Sequence, residues 1–185
     1  MLFHRKHLLP DELGAMLYEM LRKHLESDGE LSLEQLLHSL DLEHDEARER
    51  YAGEVIVGLM FAATLAIERS TPQRVAQQII AGMKTEFFQH LEEQGANILQ
   101  KAEWEATVAN TFLEYRTTLE GYSGFEPPWR LGRQFFWNLT RGEEYIAMSI
   151  KISALYLLAA RDAAQDLLNQ YGPTLSVHPH PHERS

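Results

Sequence analysis

The sequence predicts an all-α fold, a single-domain bundle of six to seven helices packed around a central apolar helix. Apolar residues recur every three or four positions along most of the chain, and no run alternates polar with apolar residues as a half-buried strand would. The 185 residues, 44% of them hydrophobic and 24% charged, are also typical of a domain with a packed core. We expect the bundle to cover residues 1–173 and a flexible His- and Pro-rich tail to cover residues 174–185.

Two helices are predicted at the start of the chain. The first begins at Pro10, because a proline followed by two acidic residues suits a helix N-terminus, and it ends near Ser27 before an Asp-Gly pair. The second is short and ends near Leu40. Ser32, with Gln35 three residues later, has the capping-box pattern expected at its beginning.

Three longer helices are predicted in the middle of the chain. The first of them is apolar on every side from residue 55 to residue 67, which is typical of a helix in the centre of a bundle. Thr71 is the expected N-cap of the next helix and Pro72 its first residue. The three helices are expected over residues 45–69, 72–94 and 96–120.

The last two helices are predicted after a loop. Residues 121–128 hold two Gly and two Pro, which is typical of a loop, and the sixth helix is expected to begin at Pro128. A break at residues 141–143 precedes a long final helix over residues 144–171, which a Gly-Pro pair ends.

Composition excludes several functional classes. The formal net charge is −10, with no basic face or arm, so we expect neither nucleic-acid binding nor adhesion to anionic lipid. There is no Cys, which excludes disulfides, thiolate nucleophiles and Cys-bearing metal sites. The longest uncharged stretch, residues 55–67, is shorter than the about 20 residues that span a bilayer. Because no apolar signal segment develops near the N-terminus, we expect a cytoplasmic protein.

The segment GFEPPWRLGRQFFWNL, residues 124–139, is dense in aromatic and basic residues. Helical spacing places most of its aromatic residues, Trp129 among them, on a half that faces the core. Arg133 and Trp137 lie at the edge of that half and are four residues apart, so the guanidinium can stack on the indole. The candidate partner-binding residues are Trp129, Arg130, Arg133 and Trp137. The alternative is an ordinary boundary tryptophan covered by an arginine stem.

Charged residues inside apolar stripes indicate a second candidate site. In the fifth helix the apolar residues centre on one face, and Arg116 projects near the middle of it. Glu54 is the expected partner, and Lys151 lies between two isoleucines in the last helix. These residues either form an ion pair that fixes how the helices pack, or they line a pocket for a carboxylate or phosphate ligand.

Metal and catalytic sites have little support in the sequence. Glu86 and His90 are four apart on one helix, and His24 is predicted to point inward from another, but the Glu-x-x-His repeats of di-iron bundles are missing. Buried, hydrogen-bonded histidines are the commoner outcome, so no cofactor is expected. The adjacent or alternating carboxylates point to different sides of their helices, and no nucleophile or phosphate-binding motif is present.

The sequence therefore favours a non-catalytic helical binding or scaffold protein. Its expected partner is another protein or a second copy of itself, as a homodimer through the Arg133 and Trp137 region. The alternative is a bundle that holds a small anionic or apolar ligand, or a metal ion, between its helices.

Overall fold

The computed structural model describes residues 8–29, 32–42, 48–121, 126–141 and 147–172. These parts of the chain contain seven helices and no strand, which confirms the all-α bundle. The tail at 174–185 and the expected starts of the third and seventh helices lie outside the described residues. The helices are α1 Pro10–Glu26, α2 Leu33–Ser39, α3 Arg48–Ser70, α4 Gln73–Glu93, α5 Ile98–Leu119, α6 Glu126–Thr140 and α7 Ala147–Tyr171.

Helix α3 is the centre of the bundle, as its all-round apolarity predicts. It contacts α1, α4, α5, α6 and α7, and the side chains of its middle turns, from Val55 to Ala63, are buried on every side. The stretch Arg50–Ser70 is long and apolar enough to cross a membrane by length and composition. However, 72% of its most apolar 18-residue window is buried inside the bundle. The hydrophobic effect thus fixes this helix as the core around which the others pack.

Helices α1 and α4 form the most extensive helix pair. Gly14 of α1 faces the backbone at Ile79 and Met83, and Gly82 of α4 faces the backbone at Asp11. A Cβ at either glycine would collide with main-chain atoms that cannot rotate away. Glycine is therefore required on both sides of this crossing for the two backbones to approach so closely.

The directions of α6 and α7 follow from their contacts. Phe135 packs against Gly58, and Arg50 Nη1 donates a 3.2 Å hydrogen bond to the carbonyl of Leu139, so α6 runs antiparallel to α3. Gly132 of α6 packs on Ile150 and Ala154 of α7.

Helix α7 then continues along α3 in the same direction as α3. Ser70 Oγ, at the end of α3, lies 2.5 Å from Gln165 Oε1 in the last third of α7. Helix α7 therefore runs parallel to α3 and antiparallel to α6, as the short connection of residues 141–146 between α6 and α7 favours.

Ser32 is the N-cap of α2, as predicted, because its Oγ accepts a 3.2 Å hydrogen bond from the amide of Gln35. The full capping box is not formed, since the Ser32 amide donates to the carbonyl of Gly29 at 2.9 Å and not to the Gln35 side chain. The prediction for α4 is wrong: Pro72 is the N-cap and α4 begins at Gln73. The Thr71 hydroxyl instead donates to the carbonyl of Ile67 at 2.7 Å, so it satisfies a group at the end of α3.

The predicted beginning of α6 at Pro128 is also wrong, because α6 begins two residues earlier at Glu126. Pro127 and Pro128 both lie in the first helical turn, where an amide would have no partner within the helix, so the two prolines lose no hydrogen bond there. Residues 126–128 of the predicted loop are therefore helical, and its residues 122–125 lie outside the described part of the chain.

Candidate functional site

Helix α6 is sharply divided into a buried and an exposed side. The predicted inward residues are buried in the core: Leu131, Gly132, Phe135, Phe136 and Leu139. The prediction is wrong for Trp129, whose side chain is 42% exposed, close to the 44% of Trp137. Trp129 lies in the first helical turn, before Leu131, the first buried residue among the described side chains of α6, so its indole remains in contact with solvent.

The exposed side of α6 carries a single row of large side chains. Trp129, Arg133 and Trp137 are spaced by four residues, which places each about one turn after the previous one on the same side of the helix. Arg133 is exposed, and Arg130, on the neighbouring side, is half-buried. Stacking of the Arg133 guanidinium on Trp137 stays a prediction.

Helix α7 has a matching exposed row. Met148 is 60% exposed and Leu155 is 56% exposed, with the exposed Lys151 between them. The spacing of three and then four residues places all three on one side of the helix. The prediction of Lys151 as a pocket residue is wrong, because its side chain projects into solvent from the outer side of α7, whereas its neighbour Ile150 is buried.

Both rows lie on the side of the α6/α7 pair that faces away from α3. On α6, Phe135 lies on the α3 side of Gly132, and the Trp129 row lies on the opposite side. On α7, Leu157 is buried toward the core, and the Leu155 row lies on the other side of Ala154. Since Gly132 and Ala154 mark the contact line between the helices, both rows face away from α3. We name this surface the α6/α7 outer face, consisting of Trp129, Arg133, Trp137, Met148, Lys151 and Leu155.

The predicted ion pair of Arg116 with Glu54 is wrong. Arg116 projects from the surface of α5 with its side chain 46% exposed, and its Nη2 lies 2.5 Å from Glu68 Oε1 at the end of α3. The predicted apolar face of α5 included Ile98 and Leu113 and is misplaced, because both side chains are exposed. The face that packs on the bundle instead consists of Val108, Thr111, Phe112 and Tyr115.

Glu54 is half-buried in the bundle, and its charge acts on the Tyr115 hydroxyl of α5. Removal from water raises the pKa of the Glu54 carboxyl, and the charges of Arg141 and Arg50 partly oppose that shift. Burial also raises the pKa of the Tyr115 hydroxyl, and the Glu54 charge adds to the increase. The Tyr115 hydroxyl has no hydrogen-bond partner among the described residues, although Asn138 lies near enough to oppose its pKa shift.

This arrangement keeps both groups protonated more readily than in water. Arg116 lies on the surface, paired with Glu68, so it supplies no cation beside Glu54 and Tyr115. Glu54 and Arg116 are therefore not brought together in one pocket, and the predicted anion site is not formed by these residues.

The three metal-ligand candidates are also not brought together. His24 Nδ1 lies 2.7 Å from the carbonyl oxygen of Met20, one turn earlier in α1. His90 Nε2 lies 3.0 Å from the Gln94 side-chain amide, whereas Glu86 lines a shallow groove between α1 and α4. Within the described ranges, no group of three His, Asp or Glu side chains converges on a position that could hold a metal ion.

A cleft of about 780 Å³, which the sequence does not indicate, lies at one end of the bundle, where α1 and α4 end and where α2, α3 and α5 begin. Its apolar lining includes Tyr18, Ile56, Phe87 and Trp104. The Trp104 ring lies directly over Gly53 of α3, where a Cβ would meet the ring. Because five separate helices supply the walls, the periodicity of any one helix gives no signal of the cleft.

The rim of the cleft is polar, but its charges are mostly neutralised. Arg22 forms hydrogen-bonded ion pairs with Glu19 at 2.9 Å and Glu26 at 2.8 Å. Arg48 pairs with Glu34, and both residues line the cleft. The cleft therefore suits an apolar ring with a few hydrogen-bonding groups better than a strongly anionic ligand.

No protein-family model, curated protein or solved structure matches this chain. Among the described residues, the α6/α7 outer face and the cleft are the two features whose geometry is suited to binding.

Proposed function

We propose that this protein is a non-catalytic helical binding or scaffold protein that associates with a second copy of itself through the α6/α7 outer face. The observation that supports this proposal is the clustering of exposed apolar side chains. Of the eight large hydrophobic residues exposed in the described parts of the chain, four lie on this face: Trp129, Trp137, Met148 and Leu155. Large exposed apolar residues that cluster on one side of a protein are typical of interaction sites.

The chemistry of the face also favours a protein partner. Trp and Arg are the residue types that most often dominate binding energy at interfaces, and Trp129, Arg133 and Trp137 supply both types in one row. The face is basic at Arg133 and Lys151, whereas the whole chain carries a net charge of −10. The six residues that define the face include no acid, so two copies that meet there do not bring the acidic excess of the two chains into contact, and their mutual repulsion is reduced.

The remaining properties fit the same proposal. The overall negative charge disfavours nucleic acid and anionic membranes as partners. We propose a cytoplasmic location, no cofactor and no catalytic step, with the bundle acting as a rigid support for the face.

Sedimentation equilibrium over a concentration series from micromolar to millimolar tests this proposal. The wild-type chain is expected to approach twice its 21.3 kDa mass, and the double variant Trp129→Ala/Trp137→Ala is expected to remain at one chain mass. Leu113→Ala is the matched control, because it removes an exposed apolar side chain from α5. A wild-type protein that stays at one chain mass throughout the series would overturn the proposal.

The cleft supports a second candidate function, the binding of a small molecule with an apolar ring. Its aromatic lining and polar rim have the composition of ligand sites, and its volume falls in the usual range of about 300–1,000 Å³. Native mass spectrometry of protein purified from its own host is expected to show a bound small molecule that Trp104→Ala removes and Trp137→Ala retains. Equal ligand loss in both variants, or no bound molecule in the wild type, would exclude this function.

A further inference from the structure

The exposed row on α7 continues beyond the α6/α7 outer face. Met148, Lys151, Leu155, Leu158 and Asp162 follow one another at intervals of three and four residues. Leu158 is half-buried, whereas Lys151, Leu155 and Asp162 are exposed. Alternating intervals of three and four are the spacing with which two helices pack side by side. We call this row the α7 seam.

Two copies of the α7 seam complement each other only when the two helices run antiparallel. It carries a cation toward its N-terminal end at Lys151, two leucines in the middle, and an anion toward its C-terminal end at Asp162. Parallel pairing of two copies would place each of these charges opposite its own kind, which is unfavourable. Antiparallel pairing places each charge opposite the other kind and each leucine opposite a leucine.

We propose that two copies pair their α7 helices antiparallel, about a two-fold axis that passes between Leu155 and Leu158. Lys151 then lies opposite Asp162 of the partner subunit, and Leu155 lies opposite Leu158 of the partner subunit. Both contacts occur twice because a two-fold interface repeats every pair. This inference rests on the proposed self-association and adds its geometry.

In this dimer, the two tryptophans of the α6/α7 outer face lie at different distances from the two-fold axis. Gly132 lies level with Ile150 and Ala154, and α6 runs antiparallel to α7. Trp129 precedes Gly132 by three residues, so at 1.5 Å per residue it lies about 4.5 Å from Gly132 toward the C-terminal end of α7. This position is level with Leu155 and beside the two-fold axis. Trp137 lies on the opposite side of Gly132, toward Met148 and away from the axis. Interfaces concentrate their binding energy near the centre, which predicts the larger role for Trp129.

The charges that the pairing uses are accessible in a single chain. Lys151 is exposed, and the Asp162 side chain is 65% exposed although its Oδ1 lies 2.7 Å from Arg161 Nη2. An exposed ion pair between adjacent residues contributes little to stability, so it does not prevent Asp162 from meeting a second cation.

Charge reversal tests the antiparallel register. Lys151→Glu and Asp162→Lys are each expected to weaken the dimer about tenfold, because each replaces two attractive contacts by two repulsive ones. The double variant Lys151→Glu/Asp162→Lys restores opposite charges in every pair and is expected to recover the wild-type dissociation constant. Lys23→Glu, an exposed reversal on α1, is the control and is expected to leave the constant unchanged. Circular dichroism at each step verifies that the helices remain folded.

The outcomes separate this inference from the proposed function. The antiparallel seam is supported if each single charge reversal weakens dimerisation and the double variant restores it. It is also supported if Trp129→Ala weakens dimerisation more than Trp137→Ala does. A wild-type dimer that neither charge reversal weakens, or that the double variant fails to recover, overturns the seam but leaves self-association standing. A wild-type chain that stays monomeric overturns both.

Discussion

Gly132→Ala perturbs the contact on which the α6/α7 outer face depends. A Cβ at Gly132 would lie 2.6 Å from the carbonyl oxygen of Ile150 and from the amide nitrogen of Ala154, and 2.7 Å from the Cβ of Ala154. The first two are main-chain atoms of α7 and cannot rotate away. Since comfortable contacts between heavy atoms begin near about 3.5 Å, the helices must separate by about 1 Å.

The magnitude follows from two opposing terms. Overpacking a tight core costs about 1–3 kcal/mol, and a clash against main chain belongs at the upper end of that range. Alanine in a helix interior recovers about 1 kcal/mol relative to glycine. The net expected loss is therefore about 2 kcal/mol, which lowers the Tm of a chain of this length by about 4–8 °C.

Urea unfolding followed by circular dichroism measures this loss, performed at a concentration low enough for the single chain to predominate. Gly29→Ala is the control, because Gly29 lies outside the helices and an added Cβ there meets only the Ser27 hydroxyl at 3.3 Å. The control is expected to change stability by less than about 0.5 kcal/mol. A Gly132→Ala variant as stable as the wild type would refute the close packing of α6 on α7.

Three further substitutions test the polar groups of the bundle. Arg116→Ala removes an exposed ion pair with Glu68, so urea unfolding is expected to show a loss below about 1 kcal/mol; a loss of several kcal/mol would mean that the arginine is buried after all. Glu54→Gln is expected to raise the Tm at pH 7 and to lose that advantage at acidic pH. Burial raises the pKa of Glu54. Protonation of Glu54 therefore stabilises the folded wild type at low pH, and this stabilisation is lost as the pH rises through the folded-state pKa. A Tm difference between the variant and the wild type that does not depend on pH would contradict the raised pKa of Glu54. Ser153→Ala removes a buried hydroxyl that has no hydrogen-bond partner among the described residues, and it is expected to stabilise the fold by about 1 kcal/mol, whereas destabilisation would show that the hydroxyl is satisfied.

Much of the fold could be predicted from local physical chemistry. Helix α3 has apolar residues on every side, so it is stable only where all of its sides are buried. The Ser32 hydroxyl caps α2 because the amide that it accepts from, that of Gln35, is only three residues away. Both signals are contained within one short segment, so no knowledge of the neighbouring helices is needed to interpret them.

The packing face of α5 could not be predicted in the same way. Ala, Thr and isolated apolar residues occur all round this helix, so its sequence pattern does not define one face. Its orientation is set by Tyr115, which is buried and stacks on Phe61 of α3 with ring centroids 4.8 Å apart. That rotation carries Arg116 to the surface, where Glu68 is the carboxylate within reach.

The sequence could predict only part of the α6/α7 outer face, because two helices contribute to it. The Arg133 and Trp137 spacing lies within one helix and indicated an exposed row on α6. The matching row on α7 becomes part of the same surface only through the contact of Gly132 with Ala154. A surface shared by two helices depends on their rotation about one another, which is a tertiary property.

Cysteine cross-linking tests most directly whether two copies meet at the α6/α7 outer face. Because the natural chain contains no Cys, a single introduced Cys reports on one position only. Leu155→Cys and Leu113→Cys replace two exposed leucines on different faces, and paired helices bring the former within about 10 Å of its copy. A bismaleimide of that length is expected to convert Leu155→Cys into a covalent dimer and to leave Leu113→Cys as single chains. Equal cross-linking at the two positions, or none at position 155, would contradict self-association through this face.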